Sequence, residues 1–261
     1  YIPAFETYLS DQVLFRDEWM SLRSQILLAA GNKDIGGVYI GRDGYLFEAV
    51  GDRDVFTDRF EENLAFVEAF AAARGGRTYV MLVPSASTVL RDNLPRFAPV
   101  YDGDRAAETA SEALGSCIYI DLRGTLGNVS GQVYYRTDHH WTGWGAFAAY
   151  QTWCGLSGIE YRADKAPQLV SESFRGTLYS KVLLDSCAWD SIYAPEVGAD
   201  VTVTADGKPI EMYNEAQLGL KDKYAYFFGG NYGQVTIECP SSDGGDLLII
   251  KDSFANSFVP Y

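Results

Sequence analysis

The apolar positions of this chain switch between helical spacing and short unbroken runs, the signature of helices alternating with buried strands. Residues 11–29 carry apolar side chains at helical spacing and are closed by Gly31-Asn32. VYIGRDGYLFEAV, 38–50, predicts two short strands about an Arg-Asp-Gly turn. Residues 55–74 predict an amphipathic helix stopped by Gly75-Gly76. TYVMLVP, 78–84, is an apolar run of strand length, expected to be buried on both faces. A helix over 104–114, a strand in SCIYIDL and a helix in GWGAFAAYQTWCG repeat the alternation. The pattern predicts an α/β fold with a parallel sheet flanked by helices.

Residues 160–240 break the pattern and read as a β-rich insertion. DVTVTADGKPIEMY predicts a hairpin turning at Asp206-Gly207, and YAYFFGGNYGQVTIEC has β-type composition. DLLIIKDSFANSFVPY then returns to the first pattern, with a strand at 247–250, a tight turn and a helix. The expected organisation is a single α/β domain over 1–261. The chain starts at Tyr1 and stops at Tyr261 within a helical pattern, so a longer product is expected, exported, with an N-terminal signal or membrane anchor removed.

Charge narrows the partners. The formal net charge is −14, which argues against nucleic acid and against an electrostatic hold on anionic lipid. Four cysteines, Cys117, Cys154, Cys187 and Cys239, lie far apart without a CxxC pair, so a zinc knuckle is not expected. Two disulfides and four thiols both remain open. No apolar run reaches the length of a membrane span.

Both histidines of the chain stand side by side in YYRTDHHWTGW. If that segment is extended, Asp138 and His140 share a face and His139 points the other way. A carboxylate beside an imidazole fixes its tautomer and stabilises its cation, as a general base requires. Ser253, after the apolar run in LLIIKDSFANS, would sit at the carboxyl edge of a sheet and open a helix whose free N–H groups suit an oxyanion. Ser85 and Ser87 in VPSAS occupy a similar position and are the runner-up nucleophiles. Gly229-Gly230-Asn231 could bring a backbone N–H and an amide to a ligand, although a hairpin turn explains the same residues. Trp141, next to the base, is expected to line the substrate-binding face. Arg175 could orient an anionic group, and pairing with an acid is the preferred reading.

DHHW followed by a small-residue helix, with KDSFANSF at the end, resembles the DHHW proteins of bacteria. These are similar to the SGNH-hydrolase-like alginate O-acetylation proteins, with their Asp-x-His-Trp motif and later serine. VYIGRDGYLF resembles the early hairpin of that family. The resemblance implies Asp138 as acid, His140 as base and Ser253 as nucleophile, with His139 at the variable position. It implies transfer or removal of acetyl groups on an extracellular polysaccharide, with an acetyl donor as second partner. Lys251 replaces a small residue before Asp-Ser, and VPSAST lacks a lysine usual in the acetylation proteins.

Two other readings remain beside the acyl-group enzyme. A glycan-binding module could keep the fold and use its aromatic residues. A metal-dependent phosphoesterase would use Asp-His-His, but a two-metal site needs more ligands than the chain offers near it. No cofactor or metal is expected.

Overall fold

The computed structural model describes residues 14–241 and 244–261. It opens with α1, Arg16–Ala29, shorter than predicted at its start, where residues 11–13 lie outside the described residues. The predicted hairpin follows as β1, Val38–Ile40, and β2, Leu46–Glu48, paired antiparallel with Val38 opposite Glu48. Asp43 and Gly44 turn it with φ of 54° and 78°, the left-handed values that such a turn demands. The next helix comes in two pieces, α2, Asp52–Val55, and α3, Asp58–Arg74. Gly75 in the left-handed region ends it as predicted.

A parallel pair forms the α/β element. β3, Tyr79–Val80, leads to α4, Ala86–Val89, and α5, Gly103–Ala113; β4, Ile118–Tyr119, then pairs with β3 in parallel. The pair is shorter than the apolar runs suggested, and it is half-buried rather than covered on both faces. Leu82 is 38% exposed. A continuous apolar run shows that a segment can be buried, not which neighbours arrive to bury it.

After α6, Arg123–Asn128, the chain enters α7, Gly143–Ser157. Thr142 caps α7 by accepting the Gly145 N–H. The small residues of α7 have a steric role. A Cβ on Gly143 would lie 2.3 Å from the Tyr193 carbonyl oxygen, and one on Gly145 would lie 2.5 Å from that of Val133. The helix therefore rests directly on the backbone of Val133, ahead of the histidine segment, and of Tyr193.

The β-rich region holds β5, Gln168–Phe174, α8, Thr177–Val182, and β6, Asp190–Ala194, with β5 and β6 antiparallel. β7, Thr202–Ala205, pairs on one side with β8, Lys208–Ile210, and on the other with β9, Val235–Glu238. The hairpin at Asp206-Gly207 is as predicted. YAYF instead forms a 3₁₀ turn, Lys223–Tyr226.

The predicted strand at 247–250 is not formed. Those residues join no ladder and are exposed, and the helix after them is one 3₁₀ turn, Ser253–Ser257. β3 pairs directly with β4, and no strand among the described residues meets the apolar run. The cysteines are free thiols, all four of them.

Two core clusters meet around the His140 ring. One contains Phe47, Ile120, Tyr134 and Trp141, with Phe254 and Phe258 packed against it. The other contains Tyr135, Phe174, Ile192, Tyr224 and Phe227.

Candidate active site

Asp138, His139 and His140 sit on a tight loop. Tyr134 bridges Trp141, and the Tyr135 N–H donates to the His140 carbonyl, so the chain closes on itself between them. A buried carboxylate props this loop. Asp190 accepts the N–H groups of Arg136 and Thr137, the Thr137 hydroxyl and the Gln132 amide at 2.6–2.9 Å. The segment is therefore not extended, and the alternation expected of a strand fails. His139 does not point away from His140. The two rings lie against each other with centroids 3.9 Å apart.

From this loop runs a connected series of hydrogen bonds. His140 Nδ1 lies 2.6 Å from Asp138 Oδ1, and His140 Nε2 lies 2.9 Å from Ser253 Oγ. Asp138 is almost wholly buried, which opposes its charge. The hydrogen bond and charge of His140, helped by His139 and by the Thr177 N–H, outweigh burial and hold the carboxyl well below its ordinary range. An ionised carboxylate only accepts, so Nδ1 of His140 carries the hydrogen and Nε2 presents a lone pair to the serine. His140 is buried, while Ser253 is partly open.

Several residues outside the motifs hold this series in place. The backbone N–H and hydroxyl of Thr177 donate to Asp138 Oδ2 at 2.8 and 3.0 Å. Tyr224 stacks on the His140 ring at 3.9 Å and 10°, and its hydroxyl donates to the Ser253 carbonyl at 3.0 Å. A Cβ on Gly176 would lie 2.3 Å from the Asp138 carboxylate, so the backbone before α8 closes over the acid.

Other candidates take different places. Trp141 is 1% exposed, and its Nε1–H lies 2.9 Å from both the Phe254 carbonyl and Ser257 Oγ. It braces the serine turn instead of facing a substrate. Arg175 donates to the carbonyls of Asp185 and Cys187 and lies over the rings of Tyr179 and Trp189. No acid among the described residues pairs with it. Asn231 reaches the serine turn through Asn256, whose amide donates to it at 3.1 Å. Gly230 keeps the positive φ, 144°, that only glycine adopts readily. Ser85 and Ser87 bond to each other at 2.8 Å, with Thr88 beside them and no imidazole partner.

Unlike those opening a helix, the N–H groups at the start of the serine turn are not all free. Asp252 accepts the Phe254 N–H at 2.9 Å. The Ser253 N–H makes no hydrogen bond among the described residues, and Lys251 bonds Asn256.

Asp138, His139 and His140 are also the group that could hold a metal among the described residues. The distances favour a proton. Two ligand atoms tetrahedral about an ion at about 2.1 Å would lie about 3.4 Å apart, whereas His140 Nδ1 and Asp138 Oδ1 are 2.6 Å apart.

Beside the serine turn opens a cavity of about 320 Å³, walled mainly by apolar side chains such as Phe47, Val83 and Phe254 and reaching Asp138 and His139. No described helix is long and apolar enough to cross a membrane.

Known proteins share this architecture. The family model for the SGNH hydrolase-like domain of the acetyltransferase AlgX matches residues 38–205, a stretch that includes Asp138 and His140 and ends before Ser253. The chain is similar in structure to a DHHW family protein from Eubacterium siraeum DSM 15702, at 22% identity and TM-score 0.69 over 87% of this chain and 79% of that one. It is also similar to PatB1 of Bacillus cereus, solved with a sulfonyl adduct, at 20% identity and TM-score 0.66 over 85% of this chain and 81% of that one. No curated protein matches the sequence.

Proposed function

The chain belongs to the family of SGNH hydrolase-like domains of the acetyltransferase AlgX, and from that premise we propose that it is a serine-dependent O-acetyltransferase acting on a cell-envelope or extracellular polysaccharide. The observation that carries the reading is the continuous series Ser253 Oγ, His140 Nε2, His140 Nδ1, Asp138 Oδ1, with steps of 2.9 and 2.6 Å.

Ser253 Oγ attacks the carbonyl carbon of an activated acetyl ester while its proton passes to His140 Nε2. Asp138 stabilises the imidazolium without taking its proton. Collapse of the tetrahedral adduct expels the donor's leaving group, which takes the proton from His140, and leaves an acetyl ester on Ser253. A sugar hydroxyl then gives its proton to His140 and attacks the ester, and Ser253 Oγ leaves with that proton. Water in place of the sugar gives an esterase. The Ser253 N–H is the nearest backbone donor free to meet the oxyanion, and Asn231 and Gly230 stand behind the turn as further candidates. A single such donor is worth about 10²–10³ in rate.

An aryl sulfonyl fluoride tests the assignment of the nucleophile. The reading expects one sulfonyl group on Ser253, formed at a rate that collapses in His140→Ala. Labelling at Ser85 or Ser87, or labelling of Ser253 that is indifferent to His140, would refute it.

A further inference from the structure

His139 takes no part in the Ser253–His140–Asp138 series, yet it lines the cavity beside the serine turn. Its protonation follows from its bonds. The Thr177 hydroxyl donates to Asp138 Oδ2, a carboxylate oxygen that only accepts. That hydroxyl has no second hydrogen, so at 2.9 Å from His139 Nδ1 it must accept. His139 therefore carries its hydrogen on Nδ1 and a lone pair on Nε2. Nothing among the described residues hydrogen-bonds to that Nε2. Burial, with the charge of His140 second, lowers the pKa of this imidazole and favours the neutral form.

Both imidazoles turn Nδ1 toward the same carboxylate oxygen, Asp138 Oδ1, at 2.6 Å for His140 and 3.8 Å for His139. The rings also lie one on the other, 3.9 Å apart with their planes at 36°. Nε2 of His140 is engaged by Ser253, and that of His139 is open among the described residues. Adjacent hydroxyls on a sugar ring lie roughly 3 Å apart, one hydrogen-bond length, a span that two acceptors on rings 3.9 Å apart can bracket.

We propose that the paired histidines recognise a vicinal diol on an uncharged sugar, with His140 taking the attacking hydroxyl and His139 accepting a hydrogen bond from its neighbour. The inference rests on the acetyltransferase reading and names the acceptor for it. The attacking oxygen forms a bond to the carbonyl carbon of acetyl-Ser253, and its proton passes to His140 Nε2. The bond from that carbon to Ser253 Oγ then breaks, and the proton returns to Oγ. His139 gains and loses no proton, so it is a substrate-binding group and not a second base. An uncharged acceptor follows from the walls. Among the described residues each cation near the cavity is already held: Arg123 by Asp104 and Asp121 at 2.8 and 2.6 Å, Lys181, whose charge reaches His139, by Glu48 at 3.1 Å, and Lys251 by Asn256, with the Glu48 carboxylate itself on the cavity wall.

A cycle across enzyme and substrate tests this. Wild type and His139→Ala are acetylated with p-nitrophenyl acetate, and the nitrophenol burst reports acylation and an intact fold. Each is then offered a neutral oligosaccharide bearing the diol, its monodeoxy analogue lacking the neighbouring hydroxyl, or an oligouronate, and acetylated sugar is measured by mass. Wild type should transfer to the diol about 5- to 10-fold better than to the deoxy sugar, the worth of one hydrogen bond. His139→Ala should bring the diol down to the deoxy rate and change that rate less than about 3-fold, and His139→Gln should recover part of the difference. Equal loss on both sugars, no loss on either, a uronate accepted as well as the diol, or no sugar acetylated by an acetyl-enzyme would each overturn the inference. Failure of the acetyltransferase reading looks different: wild type then forms no acetyl-Ser253, and this inference falls with it.

Discussion

Replacing Asp138 with Asn tests the site where it is least able to adapt. Asp138 Oδ1 accepts the backbone N–H of His140 at 3.0 Å as well as the ring Nδ1 at 2.6 Å. Oδ2 accepts the backbone N–H and hydroxyl of Thr177. An asparagine has one acceptor oxygen where the aspartate has two, and neither backbone N–H can rotate away. With its NH₂ toward His140, the amide meets the backbone N–H and forces the imidazole to accept at Nδ1, which puts a hydrogen on Nε2 and ends its use as a base. With its NH₂ toward Thr177, the useful tautomer survives, but the charge that stabilises the imidazolium is gone and a donor faces a donor. The same change in a serine protease costs about 10⁴ in kcat, or about 5.4 kcal/mol at about 1.36 kcal/mol per decade. We expect a loss of that order in the burst rate with p-nitrophenyl acetate, together with about 1–3 kcal/mol of stability from the unsatisfied donor. A folded Asp138→Asn protein that loses less than about 10-fold would refute the reasoning.

Two further outcomes follow from the same geometry. Trp141→Phe keeps most of the buried ring but removes the donor that braces Phe254 and Ser257; it should lower the melting point by an amount equivalent to about 1–3 kcal/mol and slow acylation about 10- to 100-fold by loosening the serine turn, whereas unchanged kinetics would show that the brace is dispensable. Asp138 has a lower pKa folded than unfolded, so the unfolded chain binds the extra proton and the stabilisation is present above about pH 4 and lost as pH falls below it. Stability measured by urea unfolding between about pH 5 and pH 2 should therefore fall less steeply in Asp138→Asn than in wild type, and equal slopes would contradict the assignment.

The sequence made the proposed reacting groups legible because each stands in a local pattern. Asp138 and His140 are neighbours in one loop, and Ser253 follows an apolar run into a turn. What it could not show is what distant segments deliver. Thr177 and Tyr224 lie far along the chain from Asp138 and occur in no motif, yet one fixes the acid and the other covers the base. In SFRGTLYSK the eye falls on Arg175, while Gly176 and Thr177 are the residues that touch Asp138. The orientation of His139 was not legible because a two-residue alternation holds only in extended chain, and here Asp190 gathers the N–H groups of Arg136 and Thr137 and bends the segment. The hairpins were legible from their turns, Asp43-Gly44 and Asp206-Gly207, since positive φ is a local demand. The run at 247–250 shows the limit of an apolar pattern, which needs a partner strand to become a ladder.

The central claim is that Ser253 carries the acetyl group between donor and acceptor. Rapid-quench mass analysis of the intact protein after mixing with p-nitrophenyl acetate tests it most directly. The account predicts a single acetyl group that appears with the nitrophenol burst, maps to the peptide containing Ser253, and fails to form in Ser253→Ala and His140→Ala. Nitrophenol release that proceeds in Ser253→Ala as in wild type, or an acetyl group on any other residue, would contradict it.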